Sequence, residues 1–282
     1  MDSTRHMFVP FIILISLMLL LPIVVLLYEG YGYLLKALMS GLFIEGVAVT
    51  LLGAFIAAAL DLLLGAPVAY AISRRLIPRP IDSVVSGVLL SPLTIPHTIV
   101  GLSILILVSP ISPIPVIRKL PLVDTIWGLV AAYFVVSAPI AVGAMKQVFD
   151  ELDTTYEYVG LTLGLSQWGV FTRVVVPMTF RELVSSFLMA WGRAISEFGS
   201  IVILAYYIVN PPFFNYVYPV PILIWYSYEV YGLPMALGYA SASLMISILI
   251  LVLIEIISER KFAGIRLCVS FVNDINTDFS IN

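Results

Sequence analysis

Residues 8–27 read FVPFIILISLMLLLPIVVLL, an unbroken run of twenty residues without a charged side chain. Because a helix rises about 1.5 Å per residue, roughly 20 apolar residues are enough to cross the hydrocarbon layer of a bilayer. The run is longer than the apolar core of a cleaved signal peptide, and no small-x-small cleavage site follows it. We therefore predict a retained first transmembrane helix.

The rest of the chain has the same character. Of its 282 residues, 61% are hydrophobic and only 11% are charged, whereas a soluble domain carries roughly 25% charged residues. So few charges cannot cover a surface that faces water. We predict an all-α membrane protein with about six spans, at approximately 8–28, 45–72, 84–108, 126–145, 181–207 and 233–257.

Basic residues are divided unevenly between the two sides of these spans. One side has only Lys36, Arg118 and Lys119. Since Lys and Arg near spans stay in the cytoplasm, we expect both termini inside, in a plasma membrane. The cytoplasmic side would carry Arg5, Arg74, Arg75, Arg79, Lys146, Arg173, Arg181, Arg260, Lys261 and Arg266.

Composition also limits the partners and the domain plan. A net charge of −3 without a basic stripe gives no sign of nucleic-acid binding, and one cysteine with two histidines leaves few routes to a metal site. We expect a transmembrane domain at residues 1–262, with a cytoplasmic loop at about 146–180. Residues 263–282 form a polar tail that we expect to be weakly ordered.

The two long outer loops, residues 109–125 and 208–232, are rich in proline and aromatic residues. They are compatible with an aromatic belt at the membrane–water boundary or with a docking surface for an external partner. Residues 221–231 are predicted to form a short helix at the outer surface.

The cytoplasmic loop mixes acidic residues with apolar residues at helical spacing. Gly164 interrupts this pattern and Pro177 ends it, which predicts two short amphipathic helices with a bend near Gly164. Helices that lie on a membrane surface usually carry a basic polar face. The acidic first half of this loop therefore favours docking onto a protein.

The loop resembles the cytoplasmic signature of binding-protein-dependent ABC importer permeases, which reads E-A-A, three residues, G, nine residues, I-x-L-P. Residues 157–164 are EYVGLTLG and residues 174–177 are VVVP, so Gly164 and Pro177 keep the family interval. The E-A-A places hold Tyr158, Val159 and Gly160, and Glu157 stands one residue early. The resemblance implies that the coupling contact with an ATPase involves Glu157, Tyr158, Gly160, Leu161, Gly164, Leu165, Trp168 and Pro177.

Three further stretches are similar to the molybdate/tungstate permeases and to the related sulfate permeases. They are GAPVAY (65–70) followed by SRR (73–75), SPLTIPHTIVG (91–101) and AWGRAISEFG (190–199). The resemblance implies a type I importer fold, two copies of this subunit within membrane lipid, two ABC ATPase subunits and an extracellular oxyanion-binding protein. The chain has no G-x-x-x-x-G-K-[ST] loop, so ATP and Mg would be bound by the partner ATPase, and we expect no cofactor and no catalytic residue here.

Ionisable residues inside a span are costly and usually face protein or water. Arg193 and Glu197 are four residues apart in the predicted fifth span, so they share a helix face and can pair. Such a pair is either a structural tie between helices or part of an oxyanion pathway. Asp61 could pair with Arg193 or be neutral. The pathway hypothesis covers Arg193, Ser196, Glu197, Ser200, Asp61 and His97.

Two other functional classes fit the sequence less well. An intramembrane serine protease would need a histidine on another helix, but His97 precedes Gly101-Leu-Ser103 in one predicted span. An ion-coupled secondary transporter often shows internal repeats, none of which is evident, and ATP dependence of uptake would separate it from an importer. Within the importer class, a sulfate/thiosulfate permease is the alternative to molybdate or tungstate.

Overall fold

The structure, a computed structural model, describes residues 3–209 and 216–252, with side chains from Phe8 onward. Those residues are helical and contain no strand beyond an isolated antiparallel bridge between Ile208 and Val217. The predicted polar tail and the end of the predicted sixth span lie outside the described residues. The helices are α1 Ser3–Leu38, α2 Gly41–Ser73, α3 Arg79–Leu90, α4 His97–Val108, α5 Ile126–Glu151, α6 Thr155–Thr162, α7 Gln167–Val170, α8 Val176–Met178, α9 Phe180–Ile195, α10 Ile201–Leu204, α11 Val220–Tyr231 and α12 Leu233–Val252.

Short irregular helices complete the described chain. Residues Ser91–Leu93 and Ile117–Lys119 form single 3₁₀ turns, and Phe171–Val175 forms a π-helical segment between α7 and α8. The predicted short helix at 221–231 is confirmed as α11. The two predicted amphipathic helices of the loop are α6 and the helical run that begins at Gln167.

Four helices are long and apolar enough to cross a membrane: Phe8–Leu38, Gly41–Ser73, Ile126–Glu151 and Leu233–Val252. Two bent pairs, Arg79–Leu93 with His97–Val108 and Gln167–Met178 with Phe180–Ile195, raise the number to six if each pair is one span. The prediction of about six spans in an all-α membrane fold is therefore confirmed.

Two of the predicted continuous spans are broken. The predicted span at 84–108 bends by 112° between Leu93 and His97, where Pro92 and Pro96 lack the backbone donor that a continuous helix requires. The predicted span at 181–207 stops being helical after Ile195 and resumes only for the single turn of α10. Its first helix is also bent by 80° from the preceding residues Gln167–Met178.

The chain divides into two compact units. One comprises residues 1–37 and 237–282, in whose described part the hydroxyl of Ser241 donates to the carbonyl of Leu26 at 3.1 Å. The other comprises residues 38–236 and has α2, α5 and α9 at its core. Small residues on α2 allow close packing: a Cβ on Gly53 would lie 2.9 Å from Cδ2 of Leu129.

Candidate functional site

Five polar residues meet where two membrane segments are broken; we call them the polar cluster. Its centre is the carboxylate of Glu197, whose Oε2 atom lies 2.7 Å from Nδ1 of His97 and 3.0 Å from Nη2 of Arg193. Ser196 and Ser200 complete it. The structure thus brings together five of the six residues of the pathway hypothesis, including His97, which comes from a different helix.

Local hydrogen bonds end α9 just before Glu197. The Oε1 atom of Glu197 accepts hydrogen bonds from the backbone N–H of Ser200 at 2.8 Å and from the Ser200 hydroxyl at 2.9 Å. The Ser196 hydroxyl donates to the carbonyl of Arg193 at 2.9 Å. Serine and acidic side chains that bind nearby backbone groups compete with helix continuation, so the helix predicted to continue through residue 207 ends at Ile195.

His97 reaches the cluster because it is the first residue of α4, directly after the bend. The non-helical residues 196–200 lie against this helix at a glycine: a Cβ on Gly101 would lie 2.2 Å from the carbonyl oxygen of Ser200. A second close approach occurs at Gly199, where a Cβ would lie 2.9 Å from Cβ of His97. The two breaks therefore pack directly on each other.

Arg193 and Glu197 both approach the ring of His97. Nη2 of Arg193 lies 2.9 Å from Nδ1 and 3.3 Å from Nε2, and Oε2 of Glu197 lies 2.7 Å from Nδ1. Arginine only donates and an ionised carboxylate only accepts, so a ring with its proton on Nδ1 donates to Glu197 and leaves Nε2 to accept from Arg193. Side-chain exposure differs across the group, with 1% for Glu197, 23% for Arg193 and 32% for His97. The acid is enclosed and the basic groups are the accessible part.

Asp61 does not join this cluster. Its Oδ2 atom lies 2.5 Å from the hydroxyl of Ser137 on α5, and Arg193 is engaged by Glu197 and His97 instead. The alternative in which Asp61 pairs with Arg193 is therefore wrong, because Glu197, one turn further along the chain, takes that guanidinium.

A second site lies in the loop between α5 and α9, residues 152–179, which we call the connecting segment. Glu157 is buried against the end of α2: its Oε1 atom accepts from Nε of Arg74 at 2.7 Å, and its Oε2 atom accepts from the hydroxyl of Tyr70 at 2.7 Å. The carboxylate is thus bound within the chain, and its predicted part in the contact with an ATPase stays a prediction.

Arg74 links three elements through one guanidinium. Besides Glu157 it donates from Nη2 to the carbonyl of Leu152 at 3.1 Å, and its neighbour Ser73 donates to Asp150 at 2.6 Å. The ends of α2 and α5 are thus tied to the start of α6. We did not assign a role to Arg74 or Tyr70 from the sequence, although both lie in the GAPVAY and SRR stretches that carried the resemblance.

The turn after α6 presents a mostly apolar surface. Gly164 has a φ of 88°, a left-handed conformation that favours glycine. Gly160 is buried, where a Cβ would lie 3.1 Å from Cγ2 of Val170, and Leu165 is half-buried. Of the predicted coupling residues, Tyr158, Leu161, Gly164, Trp168 and Pro177 are exposed.

Three other exposed residues of this surface are not among the predicted coupling residues: Tyr156, Val159 and Leu163. Val159 stands in an E-A-A place, whereas Tyr156 and Leu163 occupy positions that the signature does not specify.

The described parts of the outer loops are held by aromatic and backbone contacts. The rings of Tyr218 and Tyr226 stack with centroids 4.9 Å apart. The carboxyl of Asp124 accepts from the backbone N–H of Tyr206 at 3.1 Å. Burial raises the pKa of the Asp124 carboxyl, and the backbone N–H groups of Tyr207 and Tyr206 oppose that change. These contacts leave both roles proposed for the loops open.

Comparisons with known proteins agree with these features. Residues 61–262 match the family model described as "Binding-protein-dependent transport system inner membrane component". The molybdate/tungstate transport system permease protein WtpB of Thermococcus kodakarensis is 36% identical over 174 residues, which cover 62% of this chain and 66% of that protein. WtpB of Methanocaldococcus jannaschii is 30% identical over 251 residues, covering 89% and 95%.

A more distant relative and one solved structure are also similar. The probable sulfate transport system permease protein cysT of Nephroselmis olivacea is 30% identical over 224 residues, covering 77% of this chain and 76% of that protein. One chain in the crystal structure of a bacterial ABC transporter involved in the import of the acidic polysaccharide alginate superposes with a TM-score of 0.61 at 14% identity. That superposition covers 91% of this chain and 95% of the other, and it supports the fold.

Proposed function

Since the chain belongs to the family of binding-protein-dependent transport system inner membrane components, we propose that it is the membrane-spanning permease subunit of an importer for molybdate or tungstate. It is a multi-pass membrane protein and a component of a transport system. The observation that carries the proposal is the connecting segment, whose exposed apolar turn is fixed to the end of α2 by Arg74 and Glu157.

Coupling to ATP hydrolysis is assigned to that turn. Two ATPase subunits bind ATP and Mg, and this chain, which has no phosphate-binding loop of its own, holds no cofactor and catalyses no reaction. An ATPase that binds Leu161, Leu163 and Trp168 would displace α6 when it moves. The ion pair between Glu157 and Arg74 would pass that displacement to α2, because buried charge-assisted hydrogen bonds resist separation.

The oxyanion pathway is assigned to the polar cluster. Arg193 and His97 offer donors to a tetrahedral dianion, and the buried charge of Glu197 offsets the positive field of Arg193 so that cargo is not held. A conduit that must release its substrate needs such a balance, because tight binding slows departure. Capture and discrimination belong to an extracellular binding protein that docks near residues 109–125 and 208–232.

The last part of this proposal is a homodimer. The pathway lies between its two subunits and opens alternately to either side of the membrane. Two features of the described residues support it. The basic groups of the polar cluster are accessible, whereas its acid is enclosed. None of the α3 side chains is buried within the chain, so this amphipathic helix has a face available to another subunit.

The proposal is tested by reconstituting the protein with its ATPase in liposomes and measuring ATP hydrolysis. A binding protein loaded with molybdate or tungstate is added in one set and left unloaded in the other. We expect hydrolysis to rise with the loaded protein and labelled oxyanion to enter the liposomes. Uptake that needs only an ion gradient and no ATP would overturn the proposal in favour of a secondary transporter.

A sulfate or thiosulfate permease is the second candidate, because cysT aligns over most of this chain. The same liposomes distinguish the two. Sulfate-loaded binding protein that stimulates hydrolysis, with no response to molybdate or tungstate, would make sulfate the substrate. A requirement for a second, different permease chain would point the same way.

A further inference from the structure

Asp61 is a buried acid that none of the proposed transport steps uses. It lies in the middle of α2 beside Ala57, Ala58 and Gly65, and its relative exposure is 1%. Because the chain itself encloses the side chain, a second subunit or an external partner cannot reach it. Whatever compensates this carboxyl must come from the residues around it.

The described residues offer it very little. The Oδ1 atom has no hydrogen-bonding partner among them, and no basic side chain among them lies within 4.0 Å of the carboxyl. The helices that pack most extensively against α2 are α5 and α9. Their basic residues are Lys146, Arg181 and Arg193, of which Lys146 pairs with Asp150 and Arg193 with Glu197. A carboxylate here would be an uncompensated charge in a medium of low dielectric constant, which is strongly unfavourable.

The remaining partner, Ser137, identifies which group donates. Its hydroxyl oxygen lies 2.5 Å from Oδ2 of Asp61 and 2.7 Å from the backbone carbonyl oxygen of Tyr133. A serine hydroxyl has one proton and can donate one such bond, while the carbonyl can only accept. One hydroxyl satisfies two contacts this short when Ser137 donates to Tyr133 and accepts from Asp61. In that arrangement the acid carries a proton.

We propose that Asp61 is an intramembrane proton-binding site, a neutral carboxylic acid whose O–H donates to Ser137 and so joins α2 to α5. The chain of donors runs from Asp61 through Ser137 to the Tyr133 carbonyl. In this role the proton is a structural ligand of the fold: it removes the cost of a buried charge and supplies a bond between two packed helices.

Infrared spectroscopy of the full protein in detergent at neutral pH tests the proposal. The C=O stretch of a protonated carboxylic acid is separate from the stretches of a carboxylate. We expect such a band in the native protein and its loss in Asp61→Asn, whose amide keeps a donor for Ser137. Circular dichroism and gel filtration verify that this variant folds. A native-minus-variant spectrum that contains only carboxylate bands would overturn the proposal.

A second variant keeps the test decisive if Asp61→Asn does not fold. Ser137→Ala leaves the acid in place and removes its hydrogen-bonding partner. We expect the carboxylic acid band to persist and to move to higher frequency, because the C=O group of a less strongly hydrogen-bonded acid is stiffer. A protonated-acid band that is identical in the native protein and in Ser137→Ala does not belong to Asp61 and would refute the assignment.

Discussion

The guanidinium of Arg74 and the carboxylate of Glu157 are 2.7 Å apart although 83 residues separate them in the chain, and their side chains are only 12% and 10% exposed. This pair is the most enclosed ion pair outside the polar cluster among the described residues. It connects the end of α2 to the helix that carries the proposed ATPase contact. Stability and coupling should therefore both depend on it.

Arg74→Ala is expected to lower the free energy of unfolding by about 3 kcal/mol, because it leaves Glu157 buried without its cation. It should also reduce ATP hydrolysis stimulated by loaded binding protein while the ATPase still binds. Thermal unfolding in detergent and hydrolysis in liposomes measure the two effects. The control is Lys146→Ala, which breaks the exposed pair with Asp150 and should cost only about 0.3–0.5 kcal/mol. Equal changes in the two variants would contradict the prediction.

Leu163→Ser is expected to weaken binding of the ATPase roughly tenfold without changing thermal stability. The side chain is 79% exposed at the tip of the connecting segment, and apolar anchors at protein interfaces commonly carry more than about 1 kcal/mol. Val116→Ser, at a residue of the outer loop with the same 79% exposure, is the matched control. Affinity measured by surface plasmon resonance should fall for the first variant alone. If both variants bind as the native protein does, the ATPase docks elsewhere.

Gly164→Ala is expected to cost about 1–2 kcal/mol, because a residue with a side chain is disfavoured at a φ of 88°. No atom lies within 4 Å of the added Cβ, so the cost comes from the backbone alone. Gly164→Asn should be better tolerated, since asparagine visits this region more readily. Gly143→Ala, in open space on α5, should stabilise the helix by up to about 1 kcal/mol. We therefore expect the thermal unfolding midpoint to be lowest for Gly164→Ala, higher for Gly164→Asn and highest for Gly143→Ala. The reverse order would show that a side chain at residue 164 does not strain this turn.

Arg193→Ala is expected to slow oxyanion uptake about tenfold, equivalent to about 1.4 kcal/mol, and to leave assembly intact. The variant removes the cation that balances Glu197 at the centre of the polar cluster. Uptake into liposomes and co-purification with the ATPase measure the two properties. Arg181→Ala, in the exposed first turn of the same helix, should transport normally. Normal uptake by Arg193→Ala would mean that the cluster only holds helices together.

Gly101→Ala is expected to destabilise the protein by about 1–3 kcal/mol through overpacking. The added Cβ would lie 2.2 Å from the carbonyl oxygen of Ser200, a backbone atom that cannot move away independently. Gly87→Ala, in a helix where nothing lies within 4 Å, is the control and should be neutral or stabilising. Differential scanning fluorimetry compares them. An unchanged midpoint for Gly101→Ala would show that residues 196–200 can retreat from α4.

The length of the apolar runs was sufficient to predict the membrane-spanning helices but not their interruptions. The apolar character of residues 84–108 and 181–207 is continuous, so both segments pass a test that counts apolar residues. The interruptions come from particular side chains. Glu197 binds the backbone N–H of Ser200, a local competition that hydropathy does not register. Pro92 and Pro96 were visible, but whether a proline kinks or ends a helix depends on what packs against it.

The sequence was sufficient to name most residues of the candidate site, but not to say which of them contact each other. Arg193 and Glu197 could be paired from their spacing of four residues, whereas the contact with His97 depends on two helix breaks that meet at Gly101. In the connecting segment, the bend at Gly164 followed from the pattern. The inward direction of Glu157 did not, because it depends on Arg74 and Tyr70 from the far end of another helix.

The shortness of α4 has a consequence for what surrounds the protein. Its twelve residues extend over about 18 Å, well below the roughly 30 Å of a bilayer's hydrocarbon layer. If α4 and the bent helix before it form one span, His97, the first residue of α4, lies below the membrane surface. The residues just before it are non-helical backbone. Exposed backbone of this kind is not found against hydrocarbon. Acyl chains must therefore be kept away from this end of α4, and either the body of a neighbouring protein or a column of water has to take their place.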